Sequence, residues 1–333
     1  MVDEGVKVTK IEWTDWTWNP VTGCTNISPG CDHCYAETIT NRFKRHAWGD
    51  VTLHWDRLKR DPKWKDGQRV FLCSMGDLFH SAVPWSFVSE VFFVMAQNPQ
   101  ITFQVLTKRP GRMAFFANQW WRGTGMFECE HCGLKWVEDE PGKGFDCCIQ
   151  CLTPNPSVKV ARAWPSNVWA GTSVEQEWDG HRRLTARLDV LAQVQAPVRF
   201  VSYEPALGPV DFGKWLECRD CAHLCFCELE TQCVGHQCHS CHETTYGQLP
   251  DKGIDWVIAG GESGPGARPA HPDWFRSVRD ACQAAGVPFF FKQWGQFADP
   301  VGLSLGHQAK TWKLIGPDGT VLPDTTLLDN PSN

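Results

Sequence analysis

The segment Val198-Arg-Phe-Val-Ser202, followed by Tyr203-Glu204-Pro205, has the pattern of a short buried strand that ends at polar residues. The same pattern recurs along the chain, with helical stretches between its copies. The predicted strands are 70–74, 101–106, 168–172, 198–202, 255–259 and 287–292, and the predicted helices are 85–97, 113–121, 180–194 and 272–285. Nearly continuous apolar strands between helices are typical of parallel strands covered on both faces, so the sequence predicts an α/β fold.

A first short strand before Cys24 brings the total to about seven βα units. This number favours a full or partial (β/α) barrel of about six to seven parallel strands over an open doubly wound sheet. Polar residues follow the predicted strands, and in a barrel they would meet on one rim, where active sites lie. These residues are Gly76 and Asp77, Thr107 and Lys108, Thr172 and Ser173, Glu204, Glu262 and Lys292.

Two Cys- and His-rich segments interrupt this rhythm, and we expect them to be insertions in a scaffold that closes without them. The barrel is assigned to 1–126, 157–216 and 253–300, the insertions to 127–156 and 217–252, and a tail without evident chemistry to 301–333.

The 333 residues include 17 Cys and 18 Trp, and 42% of them are hydrophobic, which is enough for a sizeable core. No stretch of about 18 apolar residues occurs, so no membrane span is expected. The N-terminus lacks the apolar region of a secretory signal, and we therefore expect a cytoplasmic protein. In that reducing compartment the cysteines indicate metal ligands more than disulfides.

The net charge of −6 argues against non-specific binding along duplex DNA, but the charge is unevenly distributed. Residues 37–122, the basic segment, carry 13 Lys and Arg against 7 Asp and Glu. This segment is either a solvated face or a surface that contacts phosphates.

The cysteines of the two insertions have the spacing of four-thiolate zinc sites. In the first insertion two C-x2-C pairs stand 15 residues apart, and in the second two such pairs stand 16 residues apart. With all four corners filled by thiolate, either zinc would be structural. Extra thiols in the second insertion also allow a second metal or an auxiliary iron–sulfur cluster. The paired cysteines are Cys129, Cys132, Cys148 and Cys151, then Cys218, Cys221, Cys238 and Cys241; the others are Cys147, Cys225, Cys227 and Cys233.

A third group of cysteines, Cys24, Cys31 and Cys34, stands alone near the N-terminus. His33 could complete a zinc site with them. Alternatively, three thiolates with an open corner suit a [4Fe–4S] cluster whose fourth iron binds a cofactor. Tyr35 directly follows the last cysteine, so its ring could cover the cluster or the cofactor.

Further motifs surround this triplet and stand at the predicted strand ends. They are Trp13-Thr-Asp-Trp-Thr-Trp-Asn-Pro20, Gly23-Cys24, Ser28-Pro-Gly-Cys-Asp-His-Cys-Tyr-Ala36, Ser74-Met-Gly-Asp-Leu-Phe79, Leu106-Thr-Lys-Arg-Pro110 and Gly260-Gly-Glu-Ser-Gly264. With these motifs the chain resembles the radical S-adenosylmethionine (radical SAM) superfamily, and within it a phage-associated branch that also occurs in bacteria. The usual cysteine motif there is C-x3-C-x2-C, whereas this chain has C-x6-C-x2-C, which still keeps three sulfurs on one loop.

The resemblance implies that the three cysteines hold a [4Fe–4S] cluster and that the open iron binds the amino and carboxylate groups of S-adenosylmethionine (SAM). An electron from an external donor such as flavodoxin or ferredoxin would then cleave SAM, and the resulting 5′-deoxyadenosyl radical would take a hydrogen atom from the substrate. The resemblance places Gly76 and Asp77 at the amino group of SAM, Thr172, Ser173 and Glu204 at its ribose or carboxylate, and Gly260 and Gly261 at its adenine.

Glu262 and Lys292, at late strand ends, are candidate substrate contacts or proton carriers, with a rim ion pair as the alternative. The leading substrate hypothesis is a modified nucleobase or nucleotide. One specific version is the rearrangement of an amino-acid-decorated thymine in phage DNA, inside a bacterial host cell. The alternatives are a radical-dependent lyase that repairs damaged bases and a zinc-stapled nucleic-acid- or protein-binding module with no redox role.

Overall fold

A computed structural model gives the architecture of the chain. It describes residues 6–9, 11–43, 47–59, 64–118, 121, 126–129, 135–137, 157–159, 163–216, 253–264, 266–298 and 303–304.

The secondary structure alternates between short strands and helices. The strands are β1 (Val6–Val8), β2 (Trp16–Trp18), β3 (Val21–Thr22), β4 (Thr52–Leu53), β5 (Arg69–Leu72), β6 (Thr102–Thr107), β7 (Met126–Cys129), β8 (Lys135–Val137), β9 (Ser157–Lys159), β10 (Val168–Ser173), β11 (Arg199–Tyr203), β12 (Trp256–Gly260), β13 (Phe289–Gln293), β14 (Phe297–Ala298) and β15 (Leu303–Ser304). The helices are α1 (Tyr35–Phe43), α2 (Trp55–Leu58), α3 (Trp85–Ala96), α4 (Pro110–Phe115), α5 (Ala186–Leu191), α6 (Gly213–Leu216) and α7 (Pro272–Ala284).

The main sheet has the strand order β1-β2-β5-β6-β10-β11-β12-β13. Strand β1 is antiparallel to β2, and the other seven strands form the parallel part of the sheet. A doubly wound sheet reverses its strand order at a switch point, whereas these strands follow one another in chain order without reversal. Because right-handed crossovers in sequential order return on the same side of the sheet, this is the order of a partial (β/α) barrel. The predicted fold class is confirmed.

The chain divides into two compact units. Unit 1 comprises the described residues of 1–27, 34–172 and 193–197, and unit 2 comprises those of 28–33, 173–192 and 198–333. Unit 1 contains strands β1, β2, β5 and β6 and most of β10, and unit 2 contains β11, β12 and β13. The cysteine segment 24–34 contributes to both units, since only its residues 28–33 belong to unit 2.

Aromatic side chains form the core of each unit. In unit 1, Phe92 of α3 packs against Phe116, with ring centroids 4.7 Å apart, and against Trp121 at 5.3 Å. In unit 2, Phe275 of α7 contacts Phe291 of β13 at 5.3 Å. Aromatic pairs at these distances add attraction beyond the burial of apolar area. In unit 1 they hold α3 against the segment that follows α4, and in unit 2 they hold α7 against β13.

One predicted helix is shorter than expected, and another begins earlier than predicted. The helix predicted at 180–194 is wrong over its first half, because Gly180 has a positive φ of 93° and residues 178 and 183 form an antiparallel bridge. Only Ala186–Leu191 is helical there. The helix predicted at 113–121 begins earlier, at Pro110, and continues beyond the α-helical part, which ends at Phe115, as π-helix at 116–118.

Strands β7 and β8, at the first predicted insertion, form a separate three-stranded sheet of order β8-β7-β9 with β9, which follows the predicted end of that insertion. The second predicted insertion, 217–252, lies outside the described residues, as do Cys132, Cys147, Cys148 and Cys151. Both zinc-site assignments therefore remain predictions. No helix within the described ranges is long and apolar enough to cross a membrane.

Candidate functional site

The cysteine segment has a defined backbone. Gly23, next to Cys24, bridges to Gly76, and its N–H donates to the Met75 carbonyl at 3.0 Å. Residues Pro29–Cys31 form a 3-10 turn, and helix α1 begins at Tyr35, directly after Cys34. The three thiols are partly exposed, and none of them forms a disulfide. One short segment thus carries three partly exposed cysteines that form no disulfide.

In unit 1 the guanidinium of Arg109 contacts the first of these cysteines. Its Nη1 lies 3.4 Å from Cys24 Sγ and donates to Asp77 Oδ2 at 2.8 Å, while Nη2 donates to the Thr25 carbonyl at 2.9 Å. The side chains of Arg109 and Asp77 are only 12% and 7% exposed. Burial lowers the pKa of Arg109, but the neighbouring Asp77 and Cys24 together raise this pKa above its ordinary value.

The second carboxylate oxygen of Asp77, Oδ1, is held by hydrogen bonds from two other residues of unit 1. Oδ1 accepts hydrogen bonds from Thr107 Oγ1 at 2.7 Å and from the Phe79 N–H at 2.9 Å. Thr107 ends strand β6, and its carbonyl accepts from the hydroxyl of Thr172 on the neighbouring strand β10 at 2.7 Å. Adjacent strand ends of unit 1 are therefore joined by a buried chain of hydrogen bonds from Asp77 through Thr107 to Thr172.

His80 extends the same network to Thr25. Its Nδ1 accepts from the Ala82 N–H at 3.1 Å, so Nε2 carries the proton and donates to Thr25 Oγ1 at 2.8 Å. Burial, together with the charge of Arg109, lowers the pKa of His80. The imidazole is therefore neutral at pH 7 and acts here as a hydrogen-bond donor to the residue after Cys24.

Two other predicted site residues of unit 1 have intramolecular partners. The Tyr35 hydroxyl donates to the Ser74 carbonyl at 2.6 Å, while the residue is 53% exposed. A Cβ on Gly76 would lie 2.9 Å from the Val21 carbonyl oxygen. The small size of Gly76 is thus required by the neighbouring backbone of β3.

In unit 2 a second arginine contacts the middle of the cysteine segment. Arg268 donates to both carboxylate oxygens of Glu262, at 2.9 Å from Nε and 2.6 Å from Nη2. The same guanidinium donates to the Pro29 carbonyl at 2.7 Å and to Asp32 Oδ2 at 3.2 Å. Burial raises the pKa of Glu262, but the hydrogen bonds and charge of Arg268 outweigh this and lower the pKa below its usual value.

The 3-10 turn of the segment also rests on a buried carboxylate. Glu175 is fully buried, accepts from Ser28 Oγ at 2.8 Å, and pairs with Arg187 at 3.0 Å. Arg187 also donates to the Ser173 carbonyl at 2.9 Å. A Cβ on Gly30 would lie 2.3 Å from Glu175 Cγ, so only glycine fits above this side chain.

The ends of β11, β12 and β13 bring three predicted residues of unit 2 together. Lys292 Nζ lies 2.9 Å from Glu204 Oε1, with side-chain exposures of 34% and 14%. A Cβ on Gly260 would lie 2.6 Å from the same carboxylate oxygen. A Cβ on Gly261 would meet the Trp294 carbonyl at 2.0 Å, so this glycine serves backbone packing. Lys292 therefore forms an ion pair at the strand ends, as one of the two sequence interpretations expected, but with Glu204 and not with Glu262.

The sequence analysis did not identify the residues that form ion pairs and hydrogen bonds with the predicted site residues. Arg109 and Arg268 bind the two predicted acids, Asp77 and Glu262, and Glu175 with Arg187 supports the turn at Cys31. One signal in the sequence could have indicated the Arg109–Asp77 pair. Arg109 follows β6, Asp77 follows β5, and these two strands are neighbours in the sheet. Among the described residues, no group of three or more His, Cys, Asp or Glu side chains is arranged to hold a metal ion.

Comparison with known proteins places the chain in one family. A family model described as "protein of unknown function (DUF5131)" matches residues 8–317, and the chain belongs to this family. No curated protein and no solved structure matches the chain.

Proposed function

We propose that this protein is a radical SAM enzyme that binds a [4Fe–4S] cluster through Cys24, Cys31 and Cys34 and acts on a modified nucleobase or nucleotide. The observation that carries the proposal is the set of three partly exposed thiols on one segment, outside any disulfide, with a guanidinium N–H on one sulfur. Sulfurs that accept such hydrogen bonds are typical of iron–sulfur ligands, because the donors stabilise the charge on the thiolates. The sequential α/β fold agrees with the proposal.

The donor chemistry of the segment fits the cluster. Three thiols and a nearby cation supply soft ligands and charge compensation, whereas zinc at the same place would require a fourth ligand such as His33. When bound, the cluster and SAM would supply the electron and the radical that this chain's own side chains lack.

The residues of the chain would position these groups and the substrate. Asp77 and Glu262 each form an ion pair with an arginine, which suits them to orient the cysteine segment more than to move protons. Lys292 is the candidate substrate contact, because its side chain is one-third exposed and lies beside Glu204 at the strand ends. An ammonium in this position would hydrogen-bond a carbonyl, carboxylate or phosphate oxygen of a substrate.

A nucleic-acid substrate is supported by the basic segment of unit 1. Arg42, Lys59 and Lys65 are exposed there, so their charges are accessible to phosphates. We propose amino-acid-decorated thymine in phage DNA as the specific substrate, inside the cytoplasm of a bacterial host, with flavodoxin or ferredoxin as the electron donor.

Metal analysis after anaerobic purification tests the cluster. We expect about four Fe per chain and about two Zn if both predicted ribbons are zinc sites. About eight Fe would indicate an auxiliary cluster in the second insertion. Cys31→Ala should lose the iron, and Cys282→Ala, at a buried cysteine of α7, is the matched control that keeps it. Zinc alone, persisting after reconstitution with iron and sulfide, would overturn the proposal and favour the non-redox binding module.

Reductive turnover tests the reaction and the substrate. With dithionite, the reconstituted protein should release 5′-deoxyadenosine from SAM, and mass spectrometry should show a changed thymine derivative in phage-type modified DNA. Reversal of thymine lesions in irradiated DNA would instead identify a repair lyase. Absence of DNA binding at low salt, with no change in modified DNA, would exclude the DNA substrate.

A further inference from the structure

We infer that Arg109 is the residue that tunes the cluster: it donates a charged hydrogen bond to the sulfur of Cys24 and thereby raises the reduction potential of the iron–sulfur centre. This inference rests on the proposed function, since it concerns the cluster that the three cysteines would bind. It adds a role for a residue that touches one ligand sulfur and none of the reacting atoms.

The contact itself has the geometry that the role requires. Arg109 Nη1 is 3.4 Å from Cys24 Sγ, within reach of an N–H···S hydrogen bond. The same guanidinium donates through Nη2 to both the carbonyl and the hydroxyl of Thr25, at 2.9 and 3.1 Å. Three donations therefore go to two consecutive residues, and these fix the guanidinium relative to the sulfur.

Asp77 and Thr107 also fix the position of Arg109, through its guanidinium and its backbone N–H. Asp77 binds Nη1 through Oδ2 and is itself fixed through Oδ1 by Thr107 and by the Phe79 N–H. Thr107 Oγ1 accepts from the Arg109 N–H at 2.9 Å, which anchors the backbone of Arg109 at the end of β6. Because of this preorganisation the cation stays beside Cys24, and no reorganisation free energy is required when the cluster changes its oxidation state.

The electronic consequence follows from the sign of the charge. Reduction adds one negative charge to a centre whose thiolate ligands are already negative. A fixed cation that is mostly shielded from water stabilises the reduced state more than the oxidised state, and hydrogen bonds to ligand sulfurs act in the same direction. Asp77 offsets part of this cation, so the effect depends on the N–H directed at sulfur as well as on net charge.

Arg268, the second arginine that contacts the cysteine segment, provides a comparison for the role of Arg109. Arg268 donates to the Pro29 carbonyl, to Asp32 and to Glu262, and the contact described for Cys31 Sγ is with the Ser28 hydroxyl at 3.8 Å. Arg268 therefore contacts two carboxylates and one backbone carbonyl, whereas Arg109 contacts the sulfur of a proposed cluster ligand. Substitution of Arg268 should change how much cluster assembles, but it should leave the potential of the assembled cluster unchanged.

The test is a redox titration of reconstituted full-length protein, followed by electron paramagnetic resonance of the reduced cluster. We expect Arg109→Gln to shift the midpoint to more negative potential, Arg109→Lys to shift it less because the charge is kept, and Arg268→Gln to match the wild type. Because Arg109→Gln leaves Asp77 buried without its cation, the double variant Asp77→Asn/Arg109→Gln is titrated too. It should show a smaller negative shift, which reports the loss of the N–H···S hydrogen bond without the added charge of an unpaired Asp77. An unchanged midpoint in iron-replete Arg109 variants would overturn this inference alone. A wild-type protein that takes up no iron would overturn the proposed function and the inference with it.

Discussion

Two arginine–carboxylate pairs, one in each unit, hold different parts of the cysteine segment. In unit 1, Asp77 and Arg109 are nearly buried, and the arginine contacts a sulfur and the residue next to it. In unit 2, Glu262 is buried but Arg268 is 31% exposed, and it contacts a backbone carbonyl and the exposed Asp32. The first pair is better shielded from water than the second, so its charges interact more strongly, whereas those of the second are partly screened.

On our proposal, the same kind of ion pair serves two purposes. The nearly buried Arg109 changes the electronic properties of a cluster ligand, and the partly exposed Arg268 fixes a turn. Unit 2 compensates for the weaker pair with Glu175, which supports the same turn from the interior. Variants at these carboxylates should therefore differ in the size and kind of their effect.

The largest effect is expected from Glu175→Gln. The change leaves the Arg187 charge buried without its counter-ion and should reduce the free energy of unfolding by about 3 kcal/mol. Urea denaturation of the apoprotein measures this. The matched control is Asp273→Asn in the exposed pair with Arg276, which should cost less than about 1 kcal/mol. Equal stability of the two variants would show that the turn does not depend on the buried pair.

A smaller loss of stability is expected from Asp77→Asn. The amide still accepts from Thr107 but no longer neutralises Arg109, so we expect a loss of about 2 kcal/mol. The freed guanidinium should also move from Cys24, which would reduce iron retention. Denaturation and iron content of the same preparation check both effects. Full iron retention would mean that Arg109 is held at the sulfur by Thr25 alone.

Glu262→Gln should cost about 1 kcal/mol, because water can solvate the half-exposed Arg268 once its partner is neutral. The pH dependence has a defined sign. The pKa of Glu262 is lowered on folding, so its contribution is complete above the usual glutamate pKa of about 4.3 and disappears as the pH falls through the lower folded pKa.

Urea denaturation of wild type and variant between pH 7 and pH 3 provides the measurement for Glu262. The stability difference should be constant at neutral pH and should shrink in acid. A difference that grows in acid would contradict the ionised pairing with Arg268.

The strands could be predicted from the sequence because each is an apolar run with polar ends. The prediction of 101–106 corresponds to Thr102–Thr107, and that of 255–259 corresponds to Trp256–Gly260. The strand order follows from chain order once the crossovers have one hand. The helix predicted at 180–194 failed in its first half because a turn at Gly180 overrides the helical pattern.

The partners of the site residues could not be predicted in the same way. Asp77 and Glu262 stand at strand ends as expected, but periodicity does not show that each is bound by an arginine, since Arg109 lies 32 residues from Asp77 along the chain. Neighbouring strand ends of opposite charge were the available clue. The choice between a proton carrier and an ion pair requires the three-dimensional contacts.

The smallest effect on stability is expected at Tyr35, where two variants distinguish the role of the hydroxyl from that of the ring. Tyr35→Phe removes one hydrogen bond, to the Ser74 carbonyl, at an exposed site, so the loss of unfolding free energy should stay below about 1 kcal/mol. If the ring covers the cluster or the cofactor, as the sequence predicts, Tyr35→Phe should keep 5′-deoxyadenosine formation and Tyr35→Ala should lose it. Equal activity of the two variants would mean that Tyr35 only anchors the start of α1 in unit 1, next to Cys34. In that case no aromatic ring shields the cluster, and the contacts of Arg109 with Cys24 and Thr25 are the proposed influence of unit 1 on it.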